Sequence, residues 1–426
     1  MVIFVVLLLF VNLGQSQDFS LLGGELTSDL PGRHAIQVAA PNVVTQERRD
    51  LQLSGFTPFH QIFSREEGVG PKFTSSSCGG CHIENGKGPL DLESKRTTGS
   101  SAVIKIGLRS SNGFPRPVRR FGNQIPLFKR SNIRKYKVEL LWEKVEGRYP
   151  DGTRYSLRKP KLSFKLPLGV NPKRVVTSIR MSPPMIGMGL LESIPDETII
   201  SLSDPFDLNG DGISGRINLV PDVESGSTKV GRFGFKALHP SVRQQSAAAF
   251  FGDMGLTTSL FNNSNTEAEI SDETLFRLVM YLKLAGVPRA RLQNEQPIAL
   301  GRELFQSIGC SDCHKLQLNT SSSNDPELDS QNILPYTDLL LHDMGKGLSD
   351  GFNEFSAKGS EWRTTPLWGL GYSVADVDRL FLHDGRARTI EEAILWHGGE
   401  ASRARRNFKQ LSAVERALVL EFLRSL

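Results

Sequence analysis

All four cysteines of the chain fall into one arrangement, used twice. "CGGCH" sets Cys78, Cys81 and His82 side by side, and "CSDCH" does the same with Cys310, Cys313 and His314. Three chemistries compete for such a pattern. Two C-x-x-C pairs can build one zinc site, but zinc does not require a histidine behind each pair. Thioredoxin-like exchange uses one C-x-x-C beside a βαβ pattern, and neither segment reads that way. Covalent haem attachment has C-x-x-C-H as its local signature. There, both thiols add to the two vinyl groups of one porphyrin, and two intervening residues match the vinyl spacing. The histidine behind them supplies the proximal nitrogen to iron. The sequence therefore predicts two covalently bound haem c groups, with His82 and His314 as iron ligands. The motifs stand about half the chain apart, which suggests two haem domains.

At 426 residues the chain is long enough for roughly two or three domains. Lys and Arg number 51 against 46 Asp and Glu, for a net charge of +5. No run of five or six like charges appears, so no nucleic-acid partner is expected. The opening "MVIFVVLLLFVNLGQSQ" is apolar but shorter than the roughly 20 residues of a spanning helix. It reads as a secretory signal over residues 1–16, with Gly14 and Ser16 as small residues before the cut, although no Lys or Arg precedes it. A periplasmic protein with no stable membrane span is expected. Export favours disulfides; haem attachment accounts for the cysteines instead.

The expected architecture is mainly α with many loops: two cytochrome c-like haem domains plus a β-hairpin insertion. Residues 17–130 form the N-terminal haem domain and 131–180 the insertion. Residues 181–287 form a helical segment packing on the first haem, and 288–426 the C-terminal haem domain. In the insertion Tyr136, Val138 and Leu140 alternate with polar neighbours, as do Leu162, Phe164 and Leu166, around an Asp151-Gly152 turn. Ser271 and Asp272 cap a helix bearing Leu275, Leu278, Val279 and Leu282, stopped by Gly286 and Pro288. Ser412 and Glu415 form a capping box before a stripe of Val414, Leu418 and Phe422.

A haem that only carries electrons has two strong axial ligands, whereas one that activates an oxidant keeps an open or displaceable site. The remaining histidines are His34, His60, His239, His342, His383 and His397. Met254 in "GDMG" and Met344 in "HDMG" sit in glycine-flanked loops able to bring sulfur to iron. Met344 is assigned to the second haem; Met254 is the weaker candidate for the first. Met181, Met185, Met188 and Met280 read as packing.

The motifs "GMGLLESIP", "DLNGDGISGR", "GRFGFKA", "RQQSAAAFFGDMG", "LLHDMGKGL", "WRTTPLWGLG" and "FLHDGRARTIEEAILWHGGEA", in order with the two C-x-x-C-H sites, resemble one family. It is the di-haem oxidoreductase, putative peroxidase family, also called thiol oxidoreductase-like, itself similar to bacterial di-haem cytochrome c peroxidases. The resemblance runs from about Phe56 to the C-terminus. It implies proximal ligation by His82 and His314, and a sulfur ligand at Met344 that makes the second haem high-potential. It also implies oxidant reduction at the first. The peroxidases place a bridging tryptophan soon after the first haem motif. Here the nearest is Trp142, with Trp362 and Trp368 as alternatives.

"DLNGDGI" sets Asp207, Asn209 and Asp211 at alternate positions, with the Ile213 carbonyl beyond, as in the first half of a calcium loop. Asn218 stands where an EF-hand has its glutamate, and a plain Asx-rich turn is the alternative. The related peroxidases hold calcium, so one calcium ion is a candidate cofactor. Breaking an O–O bond needs a proton donor; Glu192 is the expected catalytic acid, with Glu66 and Glu67 behind it. His383, Asp384 and His397 read as turn-forming residues. Together these expectations describe a peroxidase-like oxidoreductase fed by a small electron-donor protein such as a cytochrome, acting on a small oxidant. The alternatives are a non-catalytic electron-transfer or redox-sensing cytochrome, and a thiol oxidoreductase.

Overall fold

The computed structural model describes residues 17–90, 92, 100–111, 113–129, 137–262, 266–321, 323–374 and 380–426. Residues 1–16, where a secretory signal is expected, and Tyr136 lie outside them. The fold is mixed rather than mainly helical: short α-helices and 3-10 turns alternate with two-stranded ladders, all antiparallel except Thr27–Ser28 on Val287–Pro288. Among the described residues one large apolar cluster runs from Leu22 to Leu426, with a small second one of Ala237, Leu341 and Ala357.

The helix Asp272–Lys283 forms where the sequence places it. The Ser271 side chain accepts the Thr274 amide, and Leu275, Leu278, Val279 and Leu282 are buried. Its N-terminal partners are the helices Gln46–Ser54 and Phe56–His60, the second of which leads toward the first cysteine pair. Lys283 reaches beyond the helix to Glu192 at 2.9 Å and Asp325 at 2.7 Å, so this segment also binds the C-terminal half.

In the C-terminal half the helix Gln296–Ser307 lies along the helix Ala413–Ser425. They approach so closely at Gly301 that any Cβ there would run into the Leu418 carbonyl. The capping box is complete: the Ser412 hydroxyl accepts the Glu415 amide at 3.2 Å, and the Glu415 carboxylate accepts the Ser412 amide at 2.7 Å. The buried stripe differs from the expected one. Val414 points into solvent, 71% exposed, while Arg416, Val419, Phe422 and Leu423 face inward.

The hairpin pairs Val138–Arg148 with Arg154–Phe164 in the register Val138↔Phe164 to Arg148↔Arg154. Asp151-Gly152 does not make a two-residue turn. The Tyr149 amide donates to the Thr153 carbonyl at 2.9 Å, and the turn lies within the wider loop 149–153. The tip is tied down, because Asp151 pairs with Arg416 at 2.8 Å and the Tyr149 hydroxyl donates to Glu391 at 2.7 Å. Past the hairpin, Val175–Met181 pairs antiparallel with Ala102–Leu108. This ladder brings residues 182–188 against the first cysteine motif.

Candidate functional site

Cys78–Cys81 is one helical turn, capped by the Ser77 hydroxyl, which accepts the Gly80 amide at 3.3 Å. His82 follows, and its Nδ1 lies 2.8 Å from the Pro183 carbonyl oxygen. A nitrogen facing a carbonyl oxygen must carry the proton, so Nδ1–H donates and Nε2 keeps its lone pair. Burial pushes the His82 pKa down to about 4, which keeps the ring neutral at pH 7. The second motif uses the same device. Gly309, with φ 91°, turns the chain out of the helix Gln296–Ser307 into Cys310–Asp312. His314 Nδ1–H donates to the Tyr336 carbonyl at 2.8 Å, and burial again pushes its pKa down to about 4. Fixing one ring nitrogen on a carbonyl orients the other as a metal ligand.

None of the four thiols is paired in a disulfide. Burial raises Cys78 and Cys310 to about 12, so both are held as thiols. Paired thiols beside a neutral, oriented imidazole fit covalent porphyrin attachment.

A cavity of about 270 Å³ opens beside the second motif, against Cys310, Cys313 and His314. Met344 lines it. So does His397, whose Nδ1–H donates to the Ala393 carbonyl at 2.6 Å and leaves Nε2 with its lone pair. The bond to Ala393 closes the end of the helix Ile390–Trp396, in keeping with a turn-forming histidine. Trp362 and Trp368 line the same space; Trp368 packs flat over Gly187, where φ is 61° and a side chain would collide with the indole. Pro183, which holds His82, also lines this cavity. His383 stacks on Trp362, ring centroids 3.7 Å apart.

Asp338, His342 and Cys313 bring their donor atoms within 4.8 Å of one another, a spacing compatible with a metal ion. The hydrogen bonds argue otherwise. His342 Nε2 lies 2.9 Å from Asp338 and Nδ1 lies 2.7 Å from Glu400. Against its burial, these bonds and one to Cys313 hold the His342 pKa well above the ordinary value. An imidazolium with both nitrogens committed has no lone pair for a metal. Glu400 also accepts the Ser214 amide and hydroxyl and the Asp343 amide, so it pins the segment leading to Met344.

Glu192 is not at either motif. Its carboxylate pairs with Lys283 and accepts the Val242 amide at 2.5 Å, bracing helices together. Glu66 and Glu67 are exposed, and Glu67 accepts the Ser64 amide at 2.7 Å. The acid at the first motif is Asp253, which precedes Met254 in "GDMG". Its carbonyl accepts the Thr74 and Ser75 amides at 2.7 and 3.2 Å, and its carboxyl accepts from Gln124 at 3.2 Å. Burial pushes its pKa up to about 6. The "GDMG" motif drew attention to the sulfur; the carboxyl beside it carries the unusual environment. Met254 itself is packed in the apolar cluster, 3% exposed.

In the loop 204–213, Asp207 accepts the Gly212 amide, Asn209 the Asp211 amide and Asp211 the Ile213 amide. These oxygens turn toward the loop's own backbone, as in an Asx-rich turn. Ile213 lines the second cavity and Ser214 binds Glu400, so the loop is coupled to that site.

Paired thiols with oriented neutral imidazoles, twice in one chain, belong to the class of haem-carrying redox proteins. The family model described as "Di-haem oxidoreductase, putative peroxidase" matches residues 110–269 and 262–426. The chain belongs to this family and is an oxidoreductase with a peroxidase-like redox role. No curated protein matches. Among solved structures, the chain is similar to one of Kuenenia stuttgartiensis hydrazine synthase pressurized with xenon. The two are 13% identical, with 100% of this chain and 99% of that one covered and a TM-score of 0.37. Among the described residues, no helix is long and apolar enough to cross a membrane.

Proposed function

We propose that the chain is a periplasmic di-haem c peroxidase of its family, with haem joined to Cys78 and Cys81 over His82 and to Cys310 and Cys313 over His314. The observation that carries this reading is the shared Nδ1–H bond to a backbone carbonyl, Pro183 for one ring and Tyr336 for the other, at 2.8 Å in both. Haem so held supplies one-electron transfer. In this reading a small donor such as a cytochrome delivers electrons at the C-terminal site, and hydrogen peroxide takes two electrons and two protons at the N-terminal site to give two waters.

The chain's own residues set the terms of that transfer. Pro183 accepts the His82 proton and lines the second cavity, so one short backbone segment connects the two sites. Asp253, half-buried beside the first motif, is the carboxyl that this reading places to deliver a proton there. The sixth position at the second iron has two candidates, Met344 and His397. The ring geometry favours His397, because it repeats the device of the two proximal histidines. A calcium ion on Asp207, Asn209, Asp211 and the Ile213 carbonyl would lock the loop that Glu400 already holds.

The test is mass spectrometry of natively matured protein, followed by a redox titration with peroxide added at half reduction. Two covalent haems and peroxide-driven reoxidation are expected. The bare polypeptide mass overturns the reading. Two haems without any peroxide response favour the electron-transfer alternative.

A further inference from the structure

Three cations in the wall of the cavity beside the second motif, Lys87, Arg363 and Arg405, have no carboxylate partner among the described residues, and the first two lie on its Trp362–His383 side. Lys87 is 9% exposed; its ammonium donates to the Leu382 carbonyl at 3.4 Å and lies 5.9 Å from the Phe381 ring centroid. Arg363 donates from Nε to the Gly234 carbonyl at 3.0 Å and from Nη1 to the Thr364 carbonyl at 3.1 Å. Arg363 is half-buried and lines the cavity. Asp384, whose field Lys87 feels, is committed to Arg386 at 2.6 Å. Asp338, whose field Arg363 feels, is committed to His342 at 2.9 Å.

The other buried cations are treated differently. Among the described residues, Arg180, Arg232, Lys236, Arg386 and Arg416 each have a carboxylate at 2.7, 2.5, 3.6, 2.6 and 2.8 Å respectively. Buried charges are costly unless paired, so native chains pair them. Burial without a counter-charge pulls Lys87 down to about 8 and Arg363 down to about 10. Both approach the cavity from the side of the Trp362–His383 stack. Arg363 follows Trp362 directly, and Lys87 binds the carbonyl that precedes His383.

We propose that Lys87 and Arg363 form an anion clamp for the two propionate carboxylates of the haem joined to Cys310 and Cys313. The assignment rests on the haem reading given above. A haem carries two carboxylates, and on its Trp362–His383 side the cavity offers two cations without a carboxylate partner that can each donate to one. Lys87 belongs to the loop behind His82, so the clamp reaches from the first motif into the second site. Arg405 also lines the cavity, donating to the Leu395 carbonyl at 3.5 Å, and serves as the control cation on the His397 side.

The experiment uses holoprotein carrying Lys87→Gln, Arg363→Gln, Lys87→Arg, Arg363→Lys or Arg405→Gln. The midpoint potential of each haem is read by optical titration, with a His314→Ala reference to assign the C-terminal haem. Loss of a cation favours the more positive, oxidised state. Each Gln variant in the clamp should therefore lower the C-terminal potential by about 59 mV, a tenfold change for a one-electron couple. The N-terminal potential should not move, the charge-keeping variants should restore the wild-type value, and Arg405→Gln should shift it less. Unchanged potentials with two haems attached overturn the clamp. So does loss of haem attachment that is equal in the Gln and the charge-keeping variants, since that marks a packing role. If added formate shifts the wild-type potential and the Gln variants lose that response, the cations hold a diffusible anion and the propionate assignment falls. A wild-type protein of bare polypeptide mass removes the haem reading itself, and is recognised before any potential is measured.

Discussion

Asp253→Asn gives the sharpest check on the chemistry assigned to the first motif. The residue is half-buried, and its pKa rises from the ordinary 3.8 to about 6 because desolvation outweighs the Gln124 hydrogen bond. Between those values the folded chain holds a proton that the unfolded chain has released. Stability therefore falls as pH rises from about 4 to 6 and is flat above. At 1.36 kcal/mol per pKa unit the fall attributable to this group is roughly 3 kcal/mol. Asparagine keeps the shape and an oxygen for Gln124 but cannot titrate. Urea unfolding of wild type and variant across pH 4 to 7.5 should show the variant gaining about 3 kcal/mol relative to wild type over that window. Parallel pH curves for the two proteins would refute the reasoning, because they would mean that Asp253 has an ordinary, solvated pKa. The same variant should slow peroxide turnover about tenfold or more if this carboxyl delivers the proton.

Other substitutions test other parts of the argument. Glu192→Gln should leave peroxide turnover within about twofold of wild type while lowering stability by about 1–3 kcal/mol in urea, since the residue braces Lys283 and Val242. Glu400→Gln should destabilise the fold by on the order of 3 kcal/mol, read by thermal unfolding, because it leaves His342 without one of its two carboxylates. Gly301→Ala should cost about 1–3 kcal/mol by chemical denaturation, as the helices Gln296–Ser307 and Ala413–Ser425 are forced apart at Leu418. If His397 is the sixth ligand, His397→Ala should change the spin state of the C-terminal haem in its optical spectrum, and Met344→Leu should not.

Local chemistry was legible in the sequence, and long-range burial was not. The Ser271 and Ser412 caps, the hairpin and the two C-x-x-C-H segments depend on neighbours within a few positions, and each forms as a structural element. Asp253 escaped notice because its significance is burial by Gln124 and Thr74, far along the chain. Glu192 looked available because its partners, Lys283 and Val242, are equally distant. The span 131–180 read as an insertion, yet its last strand pairs with Ala102–Leu108. A period of two marks a strand without naming its partner. Lys87 and Arg363 could not be singled out at all: a lysine or arginine without a counter-charge is visible only once every carboxylate has a place.

The stacked indole of Trp362 lies under a cationic roof. The Lys236 ammonium lies 4.2 Å from its ring centroid and the Arg180 guanidinium 5.1 Å. Removing an electron from that ring would set a positive charge against Lys236, a repulsion of roughly 4 kcal/mol at an effective dielectric constant of about 20. Asp350, which pairs with both cations, offsets part of that repulsion; what remains makes this indole harder to oxidise than an unguarded one, so oxidative damage should collect first on other side chains.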